Sequence, residues 1–342
     1  MMTTRPTNPN PGPGLLALHA EMARQHADAR QSYDGNGAVA VKVAGALRSN
    51  TSLVLLGMGA SHAVNRMVEP AYRALGIQAI SLPLSEQLYA PLELSRSVVI
   101  VTSQSGESVE VVRLFEALGK HDNVFGLTLE GGSSLARSCP SLVGTGGTER
   151  AFAATRSLLI SLALHQRVLA ELGDDPAAAL NALDRPEMPD LAPALAALKG
   201  VNALVFSGRE MRGLAEAAAL GAMELGRLPA QALEGGQFRH GPLEILGASV
   251  GVVLAKAAEA TGDLVDGLAK LCVAAGSPTV VLDASGGQPV RGSIHLPVAK
   301  AAGVAAALAL LPPAQKLVID LADARVPNVG TPVRSGKITR EE

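Results

Sequence analysis

Aromatic side chains are scarce in this sequence. The 342 residues include no Trp, three Tyr and five Phe. Proteins that hold bases or sugar rings by stacking need several such side chains at one surface. We therefore expect any ligand to be held mainly by hydrogen bonds and charge.

Cysteine and an excess of one charge are also lacking. Cys139 and Cys272 lie far apart, without a Cys-x-x-Cys or Cys/His cluster, which predicts neither a disulfide framework nor a metal site and favours a reducing cytoplasm. The 29 basic and 31 acidic residues give a net charge of -2 and form no basic stripe. A nucleic-acid partner is therefore not expected.

No stretch of the sequence predicts a signal peptide or a membrane span. Residues 1–14 are polar and rich in Pro, which predicts a flexible tail. The apolar run over residues 302–311 is too short to cross a bilayer and is expected to end at Pro312 and Pro313. The sequence predicts a cytoplasmic protein with no membrane partner.

Short apolar runs alternate with stretches of helical spacing, which predicts an α/β fold with parallel sheets flanked by helices. Breakers over residues 174–193, such as Asp175-Pro176, predict a connection between two domains. The predicted helices before the first sheet cover residues 15–32 and 38–47. The predicted strands cover residues 52–56, 77–82, 97–102 and 123–129, and then 201–206, 249–254 and 279–282.

The two halves of the sequence resemble each other. LVLLG, ending at Gly57, lies over LVFSG, ending at Gly208, and the run that begins at Ser97 lies over the run that begins at Ser249. A duplicated module explains this similarity. The first copy has a cluster of hydroxyl side chains, Ser103, Ser105 and Ser108, that falls over alanines of the second copy. We therefore expect any site built on this cluster once per chain, in the first module.

The loop of residues 103–108, SQSGES, follows a predicted strand and precedes a helical stretch over residues 109–118. A strand, tight turn and helix N-terminus present backbone N–H groups and the positive end of a helix to an anion. The alternative is a polar turn in which Ser108 only caps the helix. No Walker pattern is present.

Two further loops occupy similar positions. Residues 57–62, GMGASH, contain a partial Gly-x-Gly, but His62 stands at the third glycine position and no acidic residue follows the second strand. We therefore predict sugar contacts through Ser61 and no cofactor. Residues 147–156 predict either a capped helix start or a third binding loop.

Five motifs occur in an order and spacing that resemble a known family: GMGASHAV, VTSQSGES, GTERAFAATR, ALEGGQFRHGPLEIL and TPVRSGKIT. Over roughly residues 35–342 the sequence resembles the sugar-isomerase (SIS) superfamily, and within it the isomerase domain of the glutamine-fructose-6-phosphate amidotransferases and their stand-alone relatives. The resemblance implies two tandem SIS modules, each a flavodoxin-like three-layer sandwich. The implied organisation is a flexible tail (1–14), a first module with the phosphate loop (15–175), a second module (190–325) and a C-terminal tail that returns to the active site (326–342).

The resemblance also implies the residues of the site. Glu224 matches the base that moves a proton between sugar C1 and C2, His240 matches a ring-opening residue supplied across a homodimer interface, and Lys337 matches a lysine that approaches the sugar carbonyl and can form an imine. Each has a structural alternative: an ordinary helix glutamate, a turn histidine and a charged tail. The matched sugar- and phosphate-binding residues are Gly59, Ser61, Ser103, Gln104, Ser105, Ser108, Ala153 and Thr155.

The sequence departs from the amidotransferase pattern in two places. Gly221 stands where that family has a lysine, and no glutaminase segment is present. The leading hypothesis is an amino-sugar phosphate deaminase/isomerase that converts glucosamine 6-phosphate to fructose 6-phosphate and ammonia. The alternatives are a deglycase of sugar-6-phosphate amino-acid adducts, whose larger amine would use the space at Gly221, and a non-catalytic sugar-phosphate sensor.

Overall fold

The computed structural model of the chain describes residues 11–118 and 121–338. Most of the predicted flexible tail and residues 339–342 of the predicted C-terminal tail lie outside this range. The strands are β1 (Ser52–Gly57), β2 (Gln78–Pro83), β3 (Val98–Thr102), β4 (Val124–Thr128), β5 (Ser141–Val143), β6 (Ala203–Gly208), β7 (Ala230–Glu234), β8 (Val250–Ala257), β9 (Thr279–Ala284) and β10 (Ile294–Pro297). The helices are α1 (Pro13–Gly35), α2 (Gly37–Ser49), α3 (Gly59–Ala74), α4 (Leu84–Tyr89), α5 (Val109–Leu118), α6 (Ser134–Ser138), α7 (Arg156–Glu171), α8 (Ala177–Asp184), α9 (Ala192–Leu198), α10 (Arg212–Gly226), α11 (Gly235–Phe238), α12 (Gly262–Ala274) and α13 (Gly303–Asp323), with a 3-10 helix at Pro242–Ile245.

The strands form two parallel five-stranded sheets, so the predicted α/β class is confirmed. The first has the order β2-β1-β3-β4-β5 and the second the order β10-β9-β8-β6-β7. Counted from the first strand of each sheet, both orders are 2-1-3-4-5, the flavodoxin-like arrangement. In this arrangement ligands bind beyond the carboxyl ends of the strands, where the strand order reverses. In the first sheet that point lies between β1 and β3.

The central strands coincide with the predicted apolar runs, because they are buried on both faces. All five residues of β3 and of β4 are buried. The strands that the sequence did not predict are β5, β7 and β10, and each lies at the edge of its sheet. Edge strands are short and half-exposed, so they lack a continuous apolar run.

The second sheet continues as a strand where the first sheet has already entered the loop of residues 103–108. β8 continues through Ala255 and Ala257, which are 3% and 5% exposed, whereas β3 ends at Thr102. The aligned residues Ser103 and Ser105 follow β3 in the loop. The difference between the copies therefore lies in the backbone as well as in the side chains.

The predicted flexible tail is two residues too long, because Pro13 and Gly14 belong to α1. Pro13 fits the first turn of a helix, where its missing N–H is not needed. Gly14 packs against Gly330 so closely that a Cβ would lie 2.4 Å from the Gly330 carbonyl carbon. The start of α1 is therefore held against the far end of the chain.

The apolar run predicted to end at Pro312 and Pro313 instead continues to Asp323 as α13. Both prolines are buried inside this helix. By length and composition α13 could cross a membrane, but 83% of its most apolar stretch is buried inside the protein. It lies among α3, α7, α8 and α10, as a core helix of a soluble protein does.

The two sheets are joined by direct contact between α3 and α10. A Cβ at Gly213 of α10 would lie 2.4 Å from the main-chain nitrogen of Met67 in α3. Beside this crossing the buried Glu69 carboxylate of α3 accepts from Arg212 of α10 at 2.8 Å and from Arg66 at 3.0 Å. Close backbone approach and a buried ion cluster fix one helix against the other.

We expect the Gly213→Ala variant to lose about 1–3 kcal/mol of unfolding free energy, because the methyl group would meet backbone that cannot move aside. The measurement is urea unfolding of the purified variant. Gly221→Ala on the same helix is the control, since its Cβ would lie 3.4 Å from the nearest atom of Val318. That control should keep or gain stability; equal stability of the two variants would contradict the tight crossing.

Candidate functional site

A cavity of about 360 Å³ lies beyond the carboxyl ends of β1 and β3. Here the first unit is the first sheet with its flanking helices, and the second unit is the second sheet with its own. The cavity is bounded by the loops that follow β1 and β3 in the first unit, by α10 of the second unit and by residues 335–338. The predicted site residues that line it are Gly59, Ser61, Ser103, Gln104, Ser105, Ser108, Glu224 and Lys337. Residues from four distant parts of the sequence thus meet at one crevice.

The loop of residues 103–108 is held in a tight turn. Gly106 has a φ of 63°, and a Cβ there would lie 2.3 Å from the Ser133 hydroxyl oxygen, so only glycine fits. The hydroxyl oxygens of Ser103 and Ser105 accept from the main-chain N–H groups of Gly106 at 3.1 Å and of Glu107 at 3.2 Å. A hydroxyl that accepts a hydrogen bond still has its proton to donate. Two hydroxyl groups that can still donate therefore lie in the turn that precedes α5.

Gln104 has a donor without a partner. Its side-chain Nε2 is buried and makes no hydrogen bond within the described part of the chain. Its main-chain oxygen is fixed by the Leu129 N–H at 3.0 Å and the Thr128 hydroxyl at 3.1 Å. Because a buried unpaired amide is costly, this group fits a bound oxygen-rich ligand.

The first loop brings a second helix N-terminus to the cavity. Gly59 has a φ of 50° where β1 gives way to α3, and Ser61 lies in the first turn of that helix. The N-terminal ends of α3 and α5 both border the cavity. Two helix dipoles with their positive ends at one cavity favour an anion there.

Glu224 lies on α10 and faces the cavity from the second unit. Its pKa is raised from 4.5 to about 7, mainly because burial disfavours the charged carboxylate. The nearby Lys337 ammonium lowers this pKa, and the Glu149 carboxylate raises it. A carboxyl group with a pKa near neutrality can both accept and return a proton.

Glu149 is a site residue that the sequence analysis missed. It is buried beneath the cavity wall, and its Oε2 lies 3.3 Å from the Lys337 Nζ. The sequence marked the surrounding residues 147–156 as a possible binding loop but gave no reason to single out this glutamate. Its partners become visible only in the fold.

Ala153 and Thr155 do not line the main cavity. They border a smaller cavity of about 20 Å³ together with Gly221. Ala154 lines both cavities. The Thr155 hydroxyl donates to Glu149 at 3.1 Å. The space beside Gly221 has room for about one water-sized group.

His240 is exposed and is not among the residues that line the cavity. It follows the short helix α11, whose start is capped by Glu234, which accepts from the main-chain N–H groups of Gly236 at 2.8 Å and Gln237 at 3.0 Å. Arg209 adds an ion pair to Glu234 at 2.9 Å. Within one chain the described structure does not bring His240 to Glu224.

The known proteins that this chain resembles are named for reactions of sugar 6-phosphates. No protein-family model matches the chain. A glutamine-fructose-6-phosphate aminotransferase (isomerizing) of Aeropyrum pernix is 30% identical over 234 residues, which are 60% of this chain and 37% of that protein. The chain thus matches just over a third of this curated relative's length.

Solved structures superpose over almost the whole chain. A tagatose-6-phosphate ketose/aldose isomerase of Escherichia coli has a TM-score of 0.78 at 19% identity, covering 92% of this chain and 95% of its own. A glucosamine-6-phosphate deaminase of Thermotoga maritima has a TM-score of 0.76 at 20% identity, covering 95% of this chain and 100% of its own. The chain has the fold of the phosphosugar isomerases. The resemblance predicted from the sequence is confirmed, and at these identities the likeness to solved structures concerns the fold alone.

The raised pKa of Glu224 predicts a pH-dependent loss of stability. The folded protein retains this proton up to about pH 7, whereas an unfolded glutamate releases it near 4.5, so unfolding free energy should fall as pH rises between these values. Urea unfolding across this range should show a smaller fall in Glu224→Gln than in the wild type. Burial also raises the pKa of Glu259 to about 7, so part of the fall remains in both proteins. Glu116→Gln, a change at an exposed helix glutamate, is the control and should follow the wild type. Parallel curves for wild type and Glu224→Gln would contradict the assignment.

Proposed function

We propose that the protein is an enzyme that deaminates and isomerises an amino-sugar phosphate, with glucosamine 6-phosphate as substrate and fructose 6-phosphate and ammonia as products. The observation that carries this proposal is one cavity in which the Ser-rich loop of the first unit faces Glu224 of the second. The two units are proposed to be tandem SIS modules. The relatives named above support the substrate class, because their names are those of proteins acting on hexose 6-phosphates and hexosamine 6-phosphates.

The phosphate is proposed to bind at residues 103–108. Ser103, Ser105 and Ser108 provide hydroxyl donors, Gln104 provides its unpaired amide, and the N-termini of α3 and α5 favour the dianion. Ser61 is placed to contact the sugar. Gly59 lets the chain pass close to the ligand, as Gly106 does in the second loop.

The chemical step is assigned to Glu224. In the open-chain aldehyde the carboxylate takes the proton from C2 and returns it to C1, while a proton passes from the amine nitrogen to the C1 oxygen, and together these transfers convert the 2-amino aldose into a ketose imine. Addition of water to this imine then releases ammonia and leaves the ketose. A pKa of about 7 suits both halves of the transfer at neutral pH. Lys337 lines the same cavity, and its ammonium is proposed to approach the sugar carbonyl or, once neutral, to form an imine with it.

The small cavity beside Gly221 favours this reaction over the deglycase. A space of about 20 Å³ has room for a water or an amino group but not for an amino-acid substituent. The glycine that stands in place of the family's lysine therefore leaves little free space, because a Cβ at Gly221 would lie 3.4 Å from Val318 of α13. Ala153 and Thr155 are proposed to shape this side of the site.

The decisive assay incubates purified protein with a panel of hexose 6-phosphates, hexosamine 6-phosphates and a 6-phosphorylated sugar–amino-acid adduct. We expect ammonia and ketose from glucosamine 6-phosphate, and a loss of at least about 100-fold in turnover for Glu224→Gln with sugar-phosphate binding retained. Release of an amino acid would instead identify the deglycase. Binding without turnover in the wild type would identify a sensor.

His240 is proposed to open the sugar ring in the site of a second copy, since it is exposed and remote from the cavity of its own chain. Mixing inactive Glu224→Gln and His240→Ala variants after subunit exchange should restore about a quarter of wild-type activity, because half of the dimers are mixed and each has one intact site. Mixing Glu224→Gln with a Glu224→Gln/His240→Ala double variant is the control and should restore nothing. Failure of the first mixture to recover, with exchange verified, would contradict supply across an interface.

A further inference from the structure

Glu149 is a buried carboxylate to which the proposed reaction assigns no role. Its side chain is 0% exposed, yet both of its oxygens have donors. Oε1 accepts from the Thr155 main-chain N–H at 2.8 Å and from the Thr155 hydroxyl at 3.1 Å. Oε2 accepts from the Ser157 hydroxyl at 2.6 Å and from the Lys337 ammonium at 3.3 Å. Burying a carboxylate is costly unless such partners compensate, so each of them matters.

Lys337 differs from the other partners in where it comes from. Thr155 and Ser157 are six and eight positions from Glu149, whereas Lys337 is 188 positions away. Residues 331–336 before it are exposed, but residues 335–338 line the cavity. Among the described residues, the bond to Glu149 is the ion pair that ties this segment to the body of the protein.

The loop that carries Glu149 does not need Lys337 for its own shape. The fully buried Arg156 donates to the main-chain oxygens of Thr145 at 3.1 Å and of Gly147 at 2.7 Å. Arg156 is itself held by Glu21 at 2.6 Å and Asp28 at 3.0 Å, both on α1. Loss of the bond to Lys337 would therefore leave the loop anchored from its other side.

We propose that Glu149 is a positioning residue that holds Lys337 at the cavity and so makes residues 335–338 a wall of the site. This inference rests on the proposed function for the role of Lys337. The carboxylate does not touch the substrate in this assignment. It acts by fixing an otherwise exposed segment to a loop that the core already holds.

Limited proteolysis tests the inference without requiring turnover, because trypsin cleaves readily after the exposed Arg334 only when the surrounding residues leave the body of the protein. In Glu149→Gln and in Lys337→Met, we expect this cleavage to become about tenfold faster, as for loss of a charge-assisted hydrogen bond. The double variant should show no further rise, because both changes remove the same bond. Lys337→Arg should restore the slow cleavage after Arg334, since it can keep the ion pair.

The controls separate positioning from a general structural role. Ser157→Ala removes a donor from the loop side of Glu149 and should leave cleavage after Arg334 unchanged. The inference is overturned if Glu149→Gln leaves that cleavage unchanged, or if cleavage after the exposed Arg150, in the loop itself, rises as strongly. Should Glu149→Gln fail to fold, Lys337→Met decides alone, and unchanged cleavage after Arg334 would refute the inference. Faster cleavage in both variants of a protein that turns over no sugar phosphate would refute the proposed function and leave this inference standing.

Discussion

The crossing of α3 and α10 is the contact on which the rest of the site depends. α3 carries Ser61 in its first turn, and α10 carries Glu224 near its end. Because Gly213 lets the two backbones touch, the separation between the loops that follow β1 and β3 and the Glu224 carboxyl group is set by main chain rather than by flexible side chains. The ion pairs of the buried Glu69 on α3 with Arg66 and Arg212 also fix the orientation of the two helices.

Three glutamates show how surroundings decide what a carboxyl group does. Glu69 has arginines on both oxygens, and Glu149 has hydroxyl, main-chain and ammonium donors, so both are structural charges. Glu224 is largely removed from water without such a set of donors among the described residues, and its pKa is raised to about 7. The same residue type is thus held by several donors in two places, and in the third it has a pKa close to neutrality.

The fold could be predicted from the sequence where burial leaves a continuous apolar run, as in β3 and β4, and not at the edges, where β5 and β10 have too few buried residues to stand out. The loop of residues 103–108 was predictable because its donors are neighbours in the sequence. Glu149 was not, because its bond to Lys337 joins residues 188 positions apart. The exposed position of His240 could not be predicted either, because it depends on how distant segments pack and not on neighbouring residues in the sequence.

The straight course of β8 limits what the second half of the protein can become. Where β3 bends away into a loop, β8 keeps its hydrogen bonds to β9 through Ala257 and points Ala255 and Ala257 into the core. Serines introduced at these alanines would become buried hydroxyls inside a strand instead of donors at a crevice. A loop like that of residues 103–108 would require the main chain to leave the second sheet earlier, so the difference between the two sheets is fixed by the path of the backbone and not by a few reversible substitutions.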